Sequence, residues 1–267
     1  ARGQQRPGDT LERAGRDPTD VDAVICSCSS LQRPYPALAI EVQDALGIEG
    51  QERILATHAL VIGAGGLGSP AALYLASAGI GKITLVDDDN VDLTNLQRQI
   101  LHTQSRVGMA KAESGRQALA AINPDIEIVP LQQRLAGAAL DALVATVDIV
   151  LDCTDNFATR HAINRACVHH RKPLVSGAAI RFAGQISVYD LAHDAAPCYH
   201  CLFPEGDDVE EVRCAVMGVF APLTGIIGAT QAAEALKLVA GIGESLSGRL
   251  LLLDALEMDW RTVRFRK

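Results

Sequence analysis

Short apolar runs alternate with longer amphipathic stretches along most of this chain. Apolar runs with the length of buried strands occupy residues 58–62, 82–86, 126–131, 148–152 and 173–176. Strands that are almost wholly apolar indicate a parallel sheet with helices on both faces. The alternation of strand and helix therefore predicts an α/β fold, a Rossmann-like doubly wound sheet built of right-handed β-α-β units.

Helical periodicity and a later change of pattern complete this prediction. The periodicity places helices at residues 70–78, 107–122, 136–146, 157–170 and 222–240. After Gly177 the stretch Gln185–Asp190 alternates apolar and polar residues, which favours antiparallel pairing. Two further strands are predicted at Arg249–Leu253 and Arg261–Phe265. We therefore expect a mainly parallel sheet with an antiparallel C-terminal extension.

Composition narrows the class of protein. The 267 residues are 48% hydrophobic and 21% charged, which is typical of a globular protein. A formal net charge of −8 argues against a nucleic-acid partner. No apolar run reaches the roughly 18 residues of a membrane span, and the polar residues 1–20 do not resemble a signal peptide. We therefore expect a cytoplasmic protein with no membrane partner.

A glycine cluster directly follows the first predicted strand. Gly63, Gly65 and Gly68 stand in G-x-G-x-x-G spacing, and Pro70 then favours the start of a helix. In such a turn the first glycine permits the bend, the second lets the backbone approach a phosphate, and the third allows close helix packing. Because glycine loops also serve as plain turns, the pattern alone leaves both interpretations open.

Polar residues at the ends of neighbouring strands favour the nucleotide interpretation. Asp87 ends the second strand about 20 residues beyond the glycines, where an acid binds ribose in dinucleotide sites; it could also cap a turn. Arg98 and Lys111 are either ligands of an anion or ordinary surface charges. Asp155 is either a helix N-cap or a Mg²⁺ ligand. We expect these stretches to converge at the carboxyl edge of the sheet.

The combination of motifs resembles the ThiF/MoeB/HesA family, bacterial relatives of the ubiquitin-activating enzymes. The motifs are Gly63–Gly68, Asp87, Asn95-Leu-Gln-Arg-Gln99, Lys111, Cys153-Thr-Asp-Asn156, Val175–Ile180 and Cys198-Tyr-His-Cys201. The resemblance implies an enzyme, an adenylyltransferase that uses ATP and Mg²⁺ to activate the C-terminal glycine carboxylate of a ubiquitin-like sulfur carrier. It also implies a carrier ending in Gly-Gly, a role in molybdopterin or thiamine synthesis, and a homodimer formed partly through the helix Pro222–Ala240.

The same resemblance implies roles for individual residues. The catalytic residues would be Arg98, Lys111, Asp155 and Cys214. The nucleotide-binding residues would be Gly63, Gly65, Gly66, Gly68, Asp87, Asn95, Gln99 and Asn156. Cys214 corresponds to a position that in some members forms a thioester or persulfide with the carrier, although it could equally be a loop cysteine without a role. A zinc ion would be bound by Cys198 and Cys201, which we place on a loop.

Two departures from the family pattern leave alternatives open. The family's N-terminal Arg-Tyr-x-Arg-Gln run, whose arginine reaches ATP in the partner subunit, is missing from this sequence. The chain could therefore be a nucleotide-binding scaffold with impaired catalysis; an NAD-dependent oxidoreductase is a third hypothesis. Only one C-x-x-C pair is present, whereas a structural zinc site needs four ligands. We expect that site to be incomplete here, with a second cysteine pair beyond Lys267.

The N-terminal residues form a separate unit in this interpretation. Residues 10–48 resemble a fragment of β-ketoacyl-(acyl carrier protein) synthase III in the runs Val21–Cys26 and Pro34–Gln43. We therefore divide the chain into an atypical, fused or rearranged segment at 1–48 and a ThiF/MoeB-like adenylyltransferase domain at 49–267.

Overall fold

The fold is a single eight-stranded sheet with helices on both faces. The computed structural model describes residues 48–193, 195–205 and 218–267, so the predicted N-terminal segment lies almost wholly outside the described residues. The strands are β1 His58–Ile62, β2 Lys82–Val86, β3 Glu127–Leu131, β4 Ile149–Asp152, β5 Leu174–Ile180, β6 Ala183–Tyr189, β7 Arg249–Asp254 and β8 Asp259–Arg264. The α-helices are α1 Ile48–Ala56, α2 Gly68–Ala78, α3 Lys111–Ile122, α4 Gly137–Ala145, α5 Phe157–His170, α6 Tyr199–Leu202 and α7 Ala221–Ala240.

The strand order confirms the predicted architecture. The strands lie in the order β3-β2-β1-β4-β5-β6-β7-β8. Pairing is parallel from β3 to β5 and antiparallel from β5 to β8. Because β1 pairs with both β2 and β4, the direction of winding reverses beside β1. Open α/β sheets bind ligands at such a reversal, so the topology itself marks a place for a site.

The two faces of the sheet form two apolar layers. Along β1, Ala59 and Val61 join the layer that contains α1, α2 and α7, whereas Leu60 and Ile62 join the layer beneath α4 and α5. All four side chains are at most 5% exposed. This burial on both faces explains why the parallel strands are continuous apolar runs. Among the described residues, no helix is both long and apolar enough to cross a bilayer.

Three differences from the predicted elements bear on the site or on the cysteine pair. The predicted helix Val107–Ile122 begins only at Lys111, because the preceding residues turn back and Lys111 N–H donates to the Asp89 carbonyl at 2.9 Å. Strand β5 extends to Ile180, where it turns into an antiparallel hairpin with β6. Cys198 and Cys201 lie at the start of the short helix α6 rather than on a loop.

Candidate functional site

A cavity of about 410 Å³ opens at the carboxyl edge of the sheet, beside the strands β1 and β4. This volume lies within the range of roughly 300–1,000 Å³ that is usual for ligand pockets. Its walls include the turn after β1, the acidic loop after β2, and the residues that follow β4. The stretches that the sequence predicted to converge therefore do line one space.

The glycine turn after β1 has the geometry that its spacing predicted. Gly63 has a φ of 100°, and a Cβ there would lie 2.7 Å from the Cys153 carbonyl oxygen. A Cβ on Gly68, the first residue of α2, would overlap the carbonyl oxygen of Gly63. At Gly65 the nearest atom to a Cβ would be Gln99 Nε2, 3.6 Å away, so this glycine faces the cavity with room for a ligand. The predicted turn and helix-packing roles of Gly63 and Gly68 are confirmed.

Asp87 lies under this turn and binds its backbone. Oδ2 accepts a hydrogen bond from Ala64 N–H at 2.7 Å, and Oδ1 accepts one from Asp89 N–H at 2.9 Å. Burial raises the pKa of the Asp87 carboxyl, against the opposing influence of Lys111 and the two backbone hydrogen bonds. The carboxylate therefore caps a turn, one of its two predicted roles, while it also lines the cavity.

Two predicted cations contribute positive charge to the cavity wall. Lys111, at the start of α3, has a side chain only 6% exposed, and its Nζ lies 2.7 Å from Asp89 Oδ2. This burial rules out the alternative that Lys111 is a solvated surface charge. Arg98 also lines the cavity, and its Nη2 donates to Asn95 Oδ1 at 2.8 Å. Asn95 is therefore a partner of Arg98 and does not itself line the cavity.

The residues after β4 divide their roles differently from the prediction. Asn156 is the N-cap of α5, since its Oδ1 accepts a hydrogen bond from Thr159 N–H at 2.9 Å. The alternative that Asp155 is the N-cap is therefore wrong. Asp155 is exposed at the cavity and makes no hydrogen bond or ion pair within the described ranges. A carboxylate left free in this way fits a Mg²⁺ ion that also contacts phosphate oxygens.

Gln99 carries an unsatisfied polar atom at the cavity wall. The residue is 5% exposed, and its Oε1 is buried without a hydrogen-bond partner in the described part of the chain. Buried polar atoms without a partner are uncommon and call for an explanation. A bound ligand would provide one, because either end of the amide can face it after a rotation of the group.

Several residues at this site were not predicted. His102 is buried, and its Nδ1 lies 2.9 Å from Ser114 Oγ while Nε2 lies 2.8 Å from the Ala64 carbonyl oxygen. Arg160, on the first turn of α5, lines the cavity and donates to the Gly177 carbonyl at 3.0 Å. Arg160 could have been predicted from its position in the sequence, because it lies in the first turn of a helix that begins at the sheet edge. His102 lies in a loop that carries no comparable pattern.

The predicted zinc ligands lie away from the cavity. Cys198 Sγ and Cys201 Sγ are 3.7 Å apart, close to the roughly 3.8 Å between two thiolates on tetrahedral zinc. Burial tends to raise the pKa of the Cys198 thiol, but hydrogen bonds from Cys201 and Asn164 outweigh it and lower that pKa. No third histidine, cysteine or carboxylate ligand groups with this pair among the residues described. Two thiolates therefore fit half of a zinc site.

Cys214, the predicted site of a covalent link to the carrier, lies outside the described residues.

Several proteins of known function are similar to this chain. The sulfur carrier protein ThiS adenylyltransferase of Escherichia coli is 46% identical over 84% of this chain and 88% of its own length. The molybdopterin-synthase adenylyltransferase of the same organism is 47% identical over 82% of this chain and 87% of its own. The adenylyltransferase and sulfurtransferase MOCS3 of Bos taurus is 48% identical over 83% of this chain, which spans about half of that longer protein (49%).

Comparison with solved structures supports the fold alone. A crystal structure of E. coli MccB with AMPCPP and MccA has a TM-score of 0.77 at 21% identity, covering 90% of this chain and 73% of that one. A structure of PaaA has a TM-score of 0.74 at 19% identity, covering 97% of this chain and 82% of that one.

The ThiF family model matches residues 38–267. With the motifs, the relatives and this match in agreement, the chain belongs to the ThiF family.

Proposed function

We propose that this chain is an ATP-dependent adenylyltransferase of the ubiquitin-activating type. Its substrate is the C-terminal glycine carboxylate of a small ubiquitin-like sulfur-carrier protein. The observation that carries the proposal is the cavity at the reversal of the sheet, where the glycine turn meets Arg98, Lys111 and Asp155. The predicted class of enzyme is confirmed by relatives of similar length that are named sulfur carrier protein ThiS adenylyltransferase and molybdopterin-synthase adenylyltransferase.

Binding of ATP follows from the walls of the cavity. The backbone around Gly63–Gly66 approaches the phosphates, since no side chain at Gly65 obstructs them. The N-terminus of α2 adds a partial positive charge toward the same place. Asp87 accepts the ribose hydroxyls, for which its carboxylate must give up or share its present backbone contacts. Gln99 supplies its unsatisfied amide to the nucleotide.

Adenylation needs no nucleophile from the protein. A carboxylate oxygen of the carrier attacks the α-phosphorus of ATP, the bond from that phosphorus to the bridging oxygen breaks, and pyrophosphate leaves with the electron pair. The attacking carboxylate is already ionised, so no proton has to be removed. Arg98 and Lys111 hold positive charge beside the triphosphate, and such fixed charges lower the barrier to phosphoryl-type transfer.

A magnesium ion is part of this proposal, and Asp155 would hold it. When bound, Mg²⁺ neutralises negative charge on the phosphates. The free Asp155 carboxylate at the cavity fits this task. Lys111 is held in place by Asp89, so its ammonium remains beside the cavity whether or not the ion is bound.

Further parts of the proposal concern partners and assembly. The carrier ends in Gly-Gly and serves molybdopterin or thiamine synthesis in the cytoplasm. The protein acts as a homodimer that uses part of the α7 surface. Cys198 and Cys201 would supply two of the four ligands of a zinc site that is incomplete among the described residues, and Cys214 is a candidate for a covalent link to the carrier. Each of these statements rests on the sequence resemblance.

A pyrophosphate-exchange assay tests the function. With ATP, Mg²⁺ and a candidate carrier, labelled pyrophosphate should enter ATP, because adenylate formation is reversible. A carrier lacking its final glycine is the matched control and should support no exchange. ATP binding without exchange for the ThiS-type and molybdopterin-type carriers would favour the alternative, a nucleotide-binding scaffold with impaired catalysis because the Arg-Tyr-x-Arg-Gln run is missing.

A further inference from the structure

Two adjacent histidines and an aspartate form a cluster far from the cavity. His169 and His170 are the last two residues of α5, and Asp141 lies on the neighbouring helix α4. His169 Nδ1 is 3.0 Å from Asp141 Oδ1, and His170 Nε2 is 3.0 Å from Asp141 Oδ2. The three ligand atoms lie within 4.8 Å of one another.

This convergence is unusual for neighbouring helix residues. Successive side chains on an α-helix point about 100° apart, so the side chains of adjacent residues rarely contact the same third residue. Here both imidazoles tilt toward a single carboxylate, with ring centroids 4.4 Å apart. The hydrogen bond from His169 and the nearby His170 imidazole hold the pKa of Asp141 below its usual value.

The spacing of these atoms matches the first coordination sphere of a transition metal. Ligands at about 2.1 Å from one ion and at right angles to each other are about 3.0 Å apart. Both imidazole–carboxylate distances are 3.0 Å, a length that fits an ordinary N–H···O hydrogen bond as well as two ligands of one ion. The side chains of His169, Asp141 and His170 are 70%, 40% and 23% exposed, so an ion can enter and water can complete its coordination. Imidazole ligands select Zn²⁺, Ni²⁺ or Cu²⁺ over Mg²⁺.

A second histidine cluster provides a useful contrast. His161, His200 and Glu205 also come within 4.8 Å, but the carboxylate of this cluster is already paired with an arginine. Both oxygens of Glu205 bind Arg165 Nη1, at 2.6 and 2.8 Å, and His200 Nδ1 accepts a hydrogen bond from Glu205 N–H. A cation there would have to displace a guanidinium. At Asp141 no Lys or Arg competes within the described ranges.

We propose that Asp141, His169 and His170 bind one divalent transition-metal ion of the Zn²⁺ class. The ion ties the C-terminal end of α5 to α4. The 14 residues of α5 place this site about 20 Å from its N-terminal end at the cavity. The site is therefore structural and separate from adenylation, and it is distinct from the cysteine pair on α6.

Calorimetric titration of the untagged, reduced chain with Ni²⁺ tests the proposal. Asp141→Asn and His169→Gln should each weaken one Ni²⁺ site on the order of tenfold or more. The matched control is His193→Gln, which alters an exposed histidine 3.4 Å from a single carboxylate, Asp190. This control should leave the isotherm unchanged. The double variant Cys198→Ser, Cys201→Ser should likewise leave Ni²⁺ binding at the histidine site unchanged.

The proposal is overturned if the Asp141→Asn and wild-type isotherms coincide, or if only the cysteine variant loses the ion. Circular dichroism and ATP binding confirm that the variants fold, since these surface changes lie far from the cavity. Because ATP binding and Ni²⁺ binding are measured separately, failure of this site leaves the proposed enzyme activity unaffected.

Discussion

The imidazole Nε2 of His102 donates a hydrogen bond to the backbone oxygen of Ala64, at 2.8 Å. A histidine from a distant loop thus supports the middle of the glycine turn. Its other nitrogen faces Ser114 Oγ on α3 at 2.9 Å. Burial lowers the pKa of this ring, which favours the neutral form with its proton on Nε2 and with Nδ1 accepting from the serine hydroxyl. The turn, α3 and Lys111 at the start of α3 are joined through this one side chain.

The buried state of His102 predicts a pH dependence of stability. Burial lowers the pKa of His102 from its usual 6.5, so the folded protein binds this proton less readily than the unfolded chain. The stability it contributes is complete above about pH 6.5 and is lost as the pH falls from there through the lowered pKa of the folded state. We expect the free energy of unfolding, from urea titrations at pH 7.5 to 5, to decrease on acidification.

The variant His102→Gln should flatten this pH dependence, because glutamine can donate to Ala64 without titrating. His58 and His161 also have pKa values lowered by burial, so some dependence should remain. His193→Gln, at an exposed position, is the control and should reproduce the wild-type slope. An equal slope in the His102 variant and the wild type would show that this histidine does not carry the effect.

Arg98 provides a test of the chemistry. If its guanidinium stabilises charge as pyrophosphate leaves, Arg98→Ala should lower the rate of adenylation by roughly 10²–10³-fold, with a smaller effect on ATP affinity. Arg261→Ala, on the exposed edge strand β8, is a matched control and should be neutral. Single-turnover adenylate formation and ATP titration separate the two effects. Unchanged turnover in Arg98→Ala would remove this residue from the catalytic set.

Most of the fold could be predicted, because local patterns determine it. The parallel strands are apolar on both faces, and helical periodicity lies between them, so neither signal depends on distant residues. Helix α5 was predicted with its observed ends, since Asn156 caps it and Arg171 ends it in the left-handed region. The start of α3 was missed because backbone contacts between Lys111 and Asp89, 22 residues apart in sequence, fix it.

Strand positions alone predicted part of the site, and the family resemblance added Arg98, Gln99 and Lys111. Gly63, Asp87 and Asp155 each follow the end of a strand, so the topology brings them together. His102 and Gln231 act from outside those positions: Gln231 Nε2, on α7, donates to the Asp152 carbonyl at 2.8 Å. These contacts with the backbone at the site depend on how α3 and α7 pack against the sheet, and the spacing of residues in the sequence does not predict that packing. The convergence of His169 and His170 on Asp141 is likewise a product of packing between helices.

Gly68 tests the close contact between α2 and β1. In Gly68→Ala the new Cβ would overlap the Gly63 carbonyl oxygen, so we expect a loss of stability of about 3 kcal/mol. Gly225→Ala on α7 is the matched control, because a Cβ there meets no atom within 4 Å. Helix propensity should make this control about 1 kcal/mol more stable. Urea unfolding of both variants measures the difference, and equal stabilities would contradict the predicted overlap.

Asp87 should show a conflict between stability and binding. Burial raises the pKa of its carboxyl, so the ionised group costs folding stability at neutral pH. The cost decreases as the pH falls through the raised pKa and is gone below the ordinary value of 3.8. Asp87→Asn should therefore melt no lower than the wild type at pH 7. ATP affinity should weaken on the order of tenfold, since ribose loses an ionic acceptor. A large fall in melting temperature with normal ATP binding would contradict both expectations.

The cysteine pair on α6 leads to a prediction about zinc content. Cys198 and Cys201 present two sulfurs 3.7 Å apart, which suits one tetrahedral ion, but the described residues add no third ligand to the pair. Tight structural sites use four ligands, so thiolate-bound zinc in this 267-residue chain should stay well below one ion per molecule. Two measurements on the Asp141→Asn variant, which lacks the proposed histidine site, test this prediction. One is the zinc content, and the other is the thiolate-to-cobalt absorption after Co²⁺ replaces zinc. Cys198→Ser should abolish the absorption. One full equivalent of thiolate-bound metal would instead mean that other residues of the chain complete the site.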